Sequence, residues 1–419
     1  MNNNAFETYR GLTNQFDINS FGSLKQSSIV RILEEATNFS FSLINNKHKK
    51  IFKTKILKEN NDVLINSFST IYVNTEINEK QNNDFEIIHH IFLDQSYFQK
   101  EQQLIISKSH YINISQDQVY LIRNMNLKKN IFSAYKGIVK KSDCDQMSHM
   151  NVQFYFDKHA TAIKNLFNRV SLFFKKDIDF KVENERCIFS KEVHLGCSLE
   201  IIFSIKSLNE KELIILSKVF CLDNENISAF FETRITFEAH DNLNKIIEDI
   251  FLSEKTTYLN ELNFENLREL KGERPKLNYN KNAFVSCKKA VNTWNIGFNG
   301  MGSSQFKIDC VSDAATHLFT ACGADYNWRT KYKIGSAALD YSVRYFKEAP
   351  LGMAITMYTN FTEIGNKSLK FIHHMIDDAS GDKIMDIEIV AVLFDLDKRA
   401  SIVVPDDFKK KAISLLIDN

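Results

Sequence analysis

The segment Ser142-Asp143-Cys144-Asp145-Gln146-Met147-Ser148-His149-Met150-Asn151 holds two carboxylates, an imidazole and an amide side chain close together. The run from Val152 to about Phe167 carries apolar residues at helical spacing, so the cluster lies just before a helix. The first amides of a helix have no partner within it and carry partial positive charge. They can polarise a carbonyl and hold the oxyanion formed when it is attacked. A carboxylate beside them can attack the carbonyl or activate water. The chemistry available is acyl transfer to water. By spacing alone, Asp and Asn ahead of a helix are more often turn formers and caps. A lone His is more often structural. Both readings stand on the residues themselves. Asp, His and Asn do not recur with a second ligand cluster, so no metal is expected.

Three times the chain gives the same order of elements: a short strand, a turn, one amphipathic helix, then several strands. The first pass opens at Phe6-Glu-Thr-Tyr-Arg-Gly11 and turns at Asp17-Ile-Asn-Ser-Phe-Gly22. Its helix runs from Gln26 to about Leu43, with Ile29, Ile32, Leu33, Ala36 and Phe39 at helical spacing. Strands are expected at Asp62–Val73, Asp84–Leu93, Gln103–Ile114 and Gln118–Leu127. The second pass opens near Ala134. Its strands are expected at Glu185–Val193, Ser198–Ser207, Glu212–Leu222 and Ile227–Glu238. The third opens at Ala290, with a helix from Ser304 to Ala321. Strands are expected at Ser336–Glu348, Met353–Ile364, Leu369–Asp377 and Met385–Leu396. Gln153-Phe154 matches Gln305-Phe306, and Asn165-Leu-Phe167 matches His317-Leu-Phe319, both at a shift of 152 (305 − 153 and 317 − 165). Phe189–Gly196 matches Tyr345–Gly352 at 156 (345 − 189). Matches in one order mark an internal repeat. A charged helical connector from about Asn242 to Leu270, then Gly272-Glu-Arg-Pro275, separates the two.

Bulk properties narrow the function classes. A length of 419 residues suggests about three domains. A formal net charge of +1 supplies no field for nucleic acid, and no aromatic-interleaved basic stripe occurs. No apolar run is long enough for a membrane span, and Met1-Asn2-Asn3-Asn4 does not open a secretory signal, so a cytoplasmic setting is expected. Seven cysteines with no Cys-x-x-Cys pair suit a reducing compartment better than a disulfide framework or a zinc site.

The Asp-x-Asp-x-x-x-His-Met-Asn run before an aromatic-rich helix resembles the signature of hot-dog thioesterases. These are the 4-hydroxybenzoyl-CoA thioesterase-like and acyl-ACP thioesterase families. Their usual Gly is here Ser148, so a less tight or differently shaped turn is expected. The resemblance places the catalytic carboxylate on Asp145, with His149 and Asn151 as orienting residues. Asp143 and Asp17 are secondary candidates. Tyr345–Glu348, Phe371–Met375 and Phe394–Arg399 leading to Pro405 loosely resemble thioesterases of carnitine and betaine breakdown. His373 and His374 are expected to point to opposite faces of a strand, one in the core and one exposed.

The implied fold is α+β: three tandem hot-dog domains over 1–128, 129–275 and 276–419, each a curved antiparallel sheet wrapped around one long helix. At the shift of 152, Asp143, Asp145, His149 and Asn151 fall on Asn295, Gly297, Met301 and Ser303, so the third domain lacks the acid. Asn19 precedes Ala36 by the 17 residues that separate Asp145 from Ala162, so the first domain carries an amide there. The second and third domains are expected to pair within the chain, and the first with its copy in a homodimer, which covers exposed strand edges. The expected activity is acyl-CoA or acyl-carrier thioester hydrolysis, with no cofactor beyond the coenzyme A of the substrate. Alternatives are a non-enzymatic acyl-CoA or acyl-carrier binding protein and a hot-dog enoyl-CoA hydratase. The hydratase arrangement of Asp and His is not found.

Overall fold

The computed structural model describes residues 5–43, 51–59, 65–79, 84–94, 102–112, 131–253, 274 and 283–417. Strand β1 (Phe6–Leu12) leads to helix α1 (Gln26–Leu43) and strands β2 (Ile51–Glu59), β3 (Thr70–Glu79), β4 (Asp84–Leu93) and β5 (Gln102–Ile112). The order returns as β6 (Phe132–Ile138), helix α2 (Val152–Phe174), then β7 (Phe180–Phe189), β8 (Ser198–Asn209), β9 (Glu212–Cys221) and β10 (Asn226–Phe237). Helix α3 (Leu243–Ser253) follows. The third occurrence is β11 (Phe284–Ala290), helix α4 (Ser304–Ala321), helix α5 (Tyr326–Tyr332), then β12 (Ile334–Tyr345), β13 (Ala354–Ile364), β14 (Ser368–Asp377) and β15 (Lys383–Asp395). The short strand β16 (Ala400–Ser401) and helix α6 (Asp406–Ile413) end it.

All strands among the described residues join one antiparallel sheet in the order β11-β13-β14-β15-β12-β7-β10-β9-β8-β6-β1-β3-β4-β5-β2, with β16 beside β15. Within each third the order is the same: first strand, third, fourth, fifth, second. The junctions differ. β7 meets β12 from Asp340↔Ile188 to Arg344↔Asn184. β6 and β1 share the single register pair Arg10↔Lys136.

Helical spacing puts Ile29, Ile32, Leu33, Ala36 and Phe39 on one face of α1, and all are buried. Burying a side chain as large as Phe39 contributes about 1.5–3 kcal/mol. One continuous core runs from Phe132 to Ala412, while the first third has its own, from Tyr9 to Ile105. Phe39 reaches across to Ile131, Ile202 and Phe220.

Several boundaries differ from expectation. Helix α2 continues past Phe167 to Phe174, because Val170 and Ser171 extend its buried face. The strand expected from Asp62 begins at Thr70. Strand β2 was not foreseen, since Lys53, Lys55 and Lys58 dilute its apolar alternation. The stretch Gln118–Leu127, and the connector beyond Ser253, lie outside the described residues. His373 and His374 are both buried, at 0% and 1% exposure, which corrects the expectation of one exposed ring. No helix among the described residues is long and apolar enough to cross a membrane.

Candidate active site

The same turn precedes α1, α2 and α4. Its base is one backbone bond of 2.8 Å: Lys25 N–H to Asp17 O, Asn151 N–H to Asp143 O, and Ser303 N–H to Asn295 O. A second bond closes the loop: Asn19 N–H to Ser23 O, Asp145 N–H to His149 O, and Gly297 N–H to Met301 O. One residue in each loop is left-handed: Gly22 (φ 78°), Ser148 (φ 63°) and Gly300 (φ 74°). Ser148 therefore takes the conformation of the glycines, and the expected change of turn shape does not occur.

The side chains at the base also correspond. Asp17 accepts from Asn14 N–H, Asp143 from Lys140 N–H, and Asn295 from Asn292 N–H. Asp143 is buried, and Lys158 Nζ donates to its Oδ2 at 2.8 Å. Burial alone would raise this carboxyl, but the Lys158 charge and hydrogen bonds outweigh it and hold the pKa below its ordinary value. Asp17, also buried, accepts from Ser28 Oγ at 2.7 Å and Arg31 Nη2 at 2.8 Å. Neither secondary candidate is free.

Asp145 is exposed. Its Oδ1 accepts from Met147 N–H at 2.9 Å and His149 N–H at 3.0 Å. Asn19 makes the same pair of bonds, to Phe21 and Ser23 N–H. Turn formation accounts for Oδ1, and Oδ2 has no hydrogen bond among the described residues. His149 is half-buried, edge-on to His194 with ring centroids 4.6 Å apart. Its Nε2 lies 3.6 Å from Glu192 Oε2. Desolvation lowers its pKa against the pull of Asp145, so the ring is neutral near pH 7. Glu192 also pairs with Arg399, beyond β15, which brings the last third of the chain to this turn. Asn151 is the N-cap of α2, its side chain accepting from Gln153 N–H at 3.3 Å, and Ser303 caps α4 by accepting from Phe306 N–H at 3.1 Å. The structure thus brings Asp145 and His149 together, sets Asn151 at the helix start, and keeps Asp143 and Asp17 in buried ion pairs.

A cavity of about 590 Å³ lies where the thirds meet. Arg31 and Glu35 border it from α1, Asp157 and Lys158 from α2, and the 294–302 turn from the last third. Asp145 and His149 do not border it. Sequence reasoning missed Asp157 and Lys158. The available signal was two charges directly after the aromatic run Phe154-Tyr155-Phe156, with Lys158 on the face that also buries Tyr155, Ala162 and Leu166.

Residues 291–412 match the model of the Thioesterase-like superfamily. A search of curated proteins finds no match. Among solved structures, an acyl-ACP thioesterase from Bacteroides thetaiotaomicron VPI-5482 is similar at 9% identity. The alignment covers 62% of this chain and 98% of that one, with a TM-score of 0.45. The 12:0-ACP thioesterase from Umbellularia californica is similar at 10% identity, covering 63% and 94%, also at 0.45. The YbaW probable thioesterase from Escherichia coli is 14% identical, covering 32% and 100%, at 0.29.

Proposed function

We propose that this chain hydrolyses an acyl thioester carried by coenzyme A or an acyl-carrier protein. The observation that carries the reading is a correspondence. The turn at 293–303, inside the segment that matches the Thioesterase-like superfamily, has the backbone bonds of the turn at 141–151, where the acids are. On this reading Asp145 attacks the carbonyl or takes a proton from water through its open Oδ2. His149 and Asn151 orient the turn, and the first amides of α2 hold the oxyanion. Each third of the chain is one hot-dog domain, over 1–128, 129–275 and 276–419. The first and third have no acid at the turn position and shape the assembly. Among the described residues strand β2 ends the sheet path, whereas its counterparts β7 and β12 pair with each other, which supports a homodimer joined through the first domain.

Thiol release from a panel of acyl-CoAs tests the activity. The Asp145→Asn variant is expected to lose at least threefold in rate, and rates equal to wild type remove Asp145 from the chemistry. One observation favours a second reading, a non-enzymatic acyl-carrier binding protein: the Asp145 bonds are those of Asn19. Calorimetric binding of an acyl-CoA without turnover would select it.

A further inference from the structure

Strand pairing brings together two thiols that the sequence keeps apart. Cys197 and Cys221 are 24 residues from each other (221 − 197), with no Cys-x-x-Cys spacing to announce them. Cys197 stands just before β8, and Cys221 ends β9, where Leu199 is its register partner. The chain then turns through Leu222–Asn224, which carries Asp223 to the pair. Both Sγ atoms and a carboxylate oxygen of Asp223 lie within 4.8 Å of one another, the only group of three His, Cys, Asp or Glu donors so placed among the described residues. Cys221 is buried, Cys197 half-buried and Asp223 exposed, so the group opens to solvent on its carboxylate side. The donors are held in place by the fold. Cys197 N–H donates to His194 O at 3.1 Å, and the Cys197 carbonyl accepts from Val139 N–H at 2.8 Å. Asp223 Oδ2 accepts from Ser198 N–H at 2.5 Å and Oδ1 from Ser42 Oγ at 2.8 Å, and Ser42 Oγ lies 2.7 Å from Ser198 Oγ. Ser42 is in the last turn of α1, so the first third of the chain orients a carboxylate of the second. Hydrogen bonds of this kind fix ligating carboxylates in metal sites.

We infer that Cys197, Cys221 and Asp223 bind a thiophilic divalent cation of the zinc class, with a fourth coordination position left to solvent. Zinc is held tetrahedrally by thiolates and carboxylates, and Zn–S bonds of about 2.3 Å put two sulfurs about 3.8 Å apart, within the reach of this group. Two sulfur donors select against calcium and magnesium, which take oxygen ligands. The ion displaces the thiol protons, which leave to solvent. A disulfide is the competing fate of two close thiols. Cys197 lies two residues before the register partner of Cys221, a diagonal placement for which Cα atoms stand about 7–8 Å apart. A disulfide spans about 4.4–6.8 Å between Cα atoms. An ion bridges the diagonal where a direct S–S bond would pull the strands together. Because Ser42 and Ser198 hold the carboxylate, the bound ion also ties α1 to the β8–β9 end of the second third, beside the narrow contact of β1 with β6. The site is independent of the acyl-thioester reading.

The test adds Co²⁺ and then Zn²⁺ to the reduced, metal-free full chain, as wild type, Cys197→Ser, Asp223→Asn, Ser42→Ala and, for control, Cys287→Ser. Circular dichroism without metal confirms that each variant is folded. Wild type is expected to take up one ion per chain, with a thiolate-to-cobalt charge-transfer absorption that zinc abolishes. Cys197→Ser loses that absorption and binds zinc about 100-fold more weakly, Asp223→Asn and Ser42→Ala weaken zinc about tenfold, and Cys287→Ser matches wild type. Zinc raises the thermal midpoint of wild type and leaves that of Cys197→Ser where it was. A wild type without the charge-transfer absorption overturns the site, as does zinc affinity in Cys197→Ser equal to wild type. A Cys197–Cys221 disulfide formed in air, with no ion taken up by the reduced chain, overturns it in favour of a redox pair.

Discussion

At Ser148 the backbone sits at φ 63°, where its two counterparts are glycines. A side chain there costs about 1–2 kcal/mol of local strain, and a glycine gives back about 0.5–1 kcal/mol through the freer unfolded chain. Ser148→Gly is therefore expected to stabilise the protein by about 0.5 kcal/mol in urea unfolding. Asp143 offers a larger effect. Its pair with Lys158 is 6% exposed on each side, so Asp143→Ala strands a buried ammonium and is expected to cost about 3–5 kcal/mol. Because the folded pKa of Asp143 is depressed, its contribution is complete above the unfolded carboxylate value, near 4, and fades as pH falls through the folded value. These roles were partly legible in sequence. Asp143 and Asn151 could be read as turn and cap from their place before a helix, whereas the Lys158 partner of Asp143 lies a full helix turn inside α2. Only burial reveals that a lysine there is a counter-ion.

Among the elements, the contact between β7 and β12 is reinforced from within. Tyr345 OH donates to Glu185 Oε2 at 2.7 Å, and His159 of α2 lies 2.9 Å from Glu185 Oε1 and 3.0 Å from Ser217. Helix, strand and neighbouring strand are thereby fixed around one buried carboxylate. Tyr345→Phe leaves one oxygen of that carboxylate without its donor, and is expected to cost about 1–3 kcal/mol by denaturant unfolding. The helices were readable because Ile29, Ile32, Leu33, Ala36 and Phe39 repeat at the helical period. Strand β2 was not, because lysines interrupt its pattern. His373 and His374 were misplaced because strand alternation implies one wet face, and here both faces are covered.

Over the whole molecule the two junctions in the sheet are unequal. The β7–β12 seam pairs residues over a run of strand and shares one core, while β1–β6 meets at Arg10 and Lys136 alone. Charge reinforces that narrow seam beside the apolar contact of Phe39 with Ile131, Ile202 and Phe220. Glu7 accepts from Arg10 at 2.6 Å and from Lys136 at 3.1 Å. Burial works against the Glu7 carboxylate, yet both cations hold its pKa down at about 2 instead of 4.5. The stabilisation is present at neutral pH and lost as pH falls from 4.5 toward 2. Hydrogen exchange followed during acidification is therefore expected to show amides of β1 and β6 opening before those of β7 and β12. The thrice-used turn has a wider consequence. Since Asn19, Asp145 and Gly297 sit in one frame of backbone hydrogen bonds, that frame forms without an acid at this position. Such a frame works as an interchangeable socket: an acid can be withdrawn from one copy, or installed in another by Asn19→Asp, while the architecture around it stays intact.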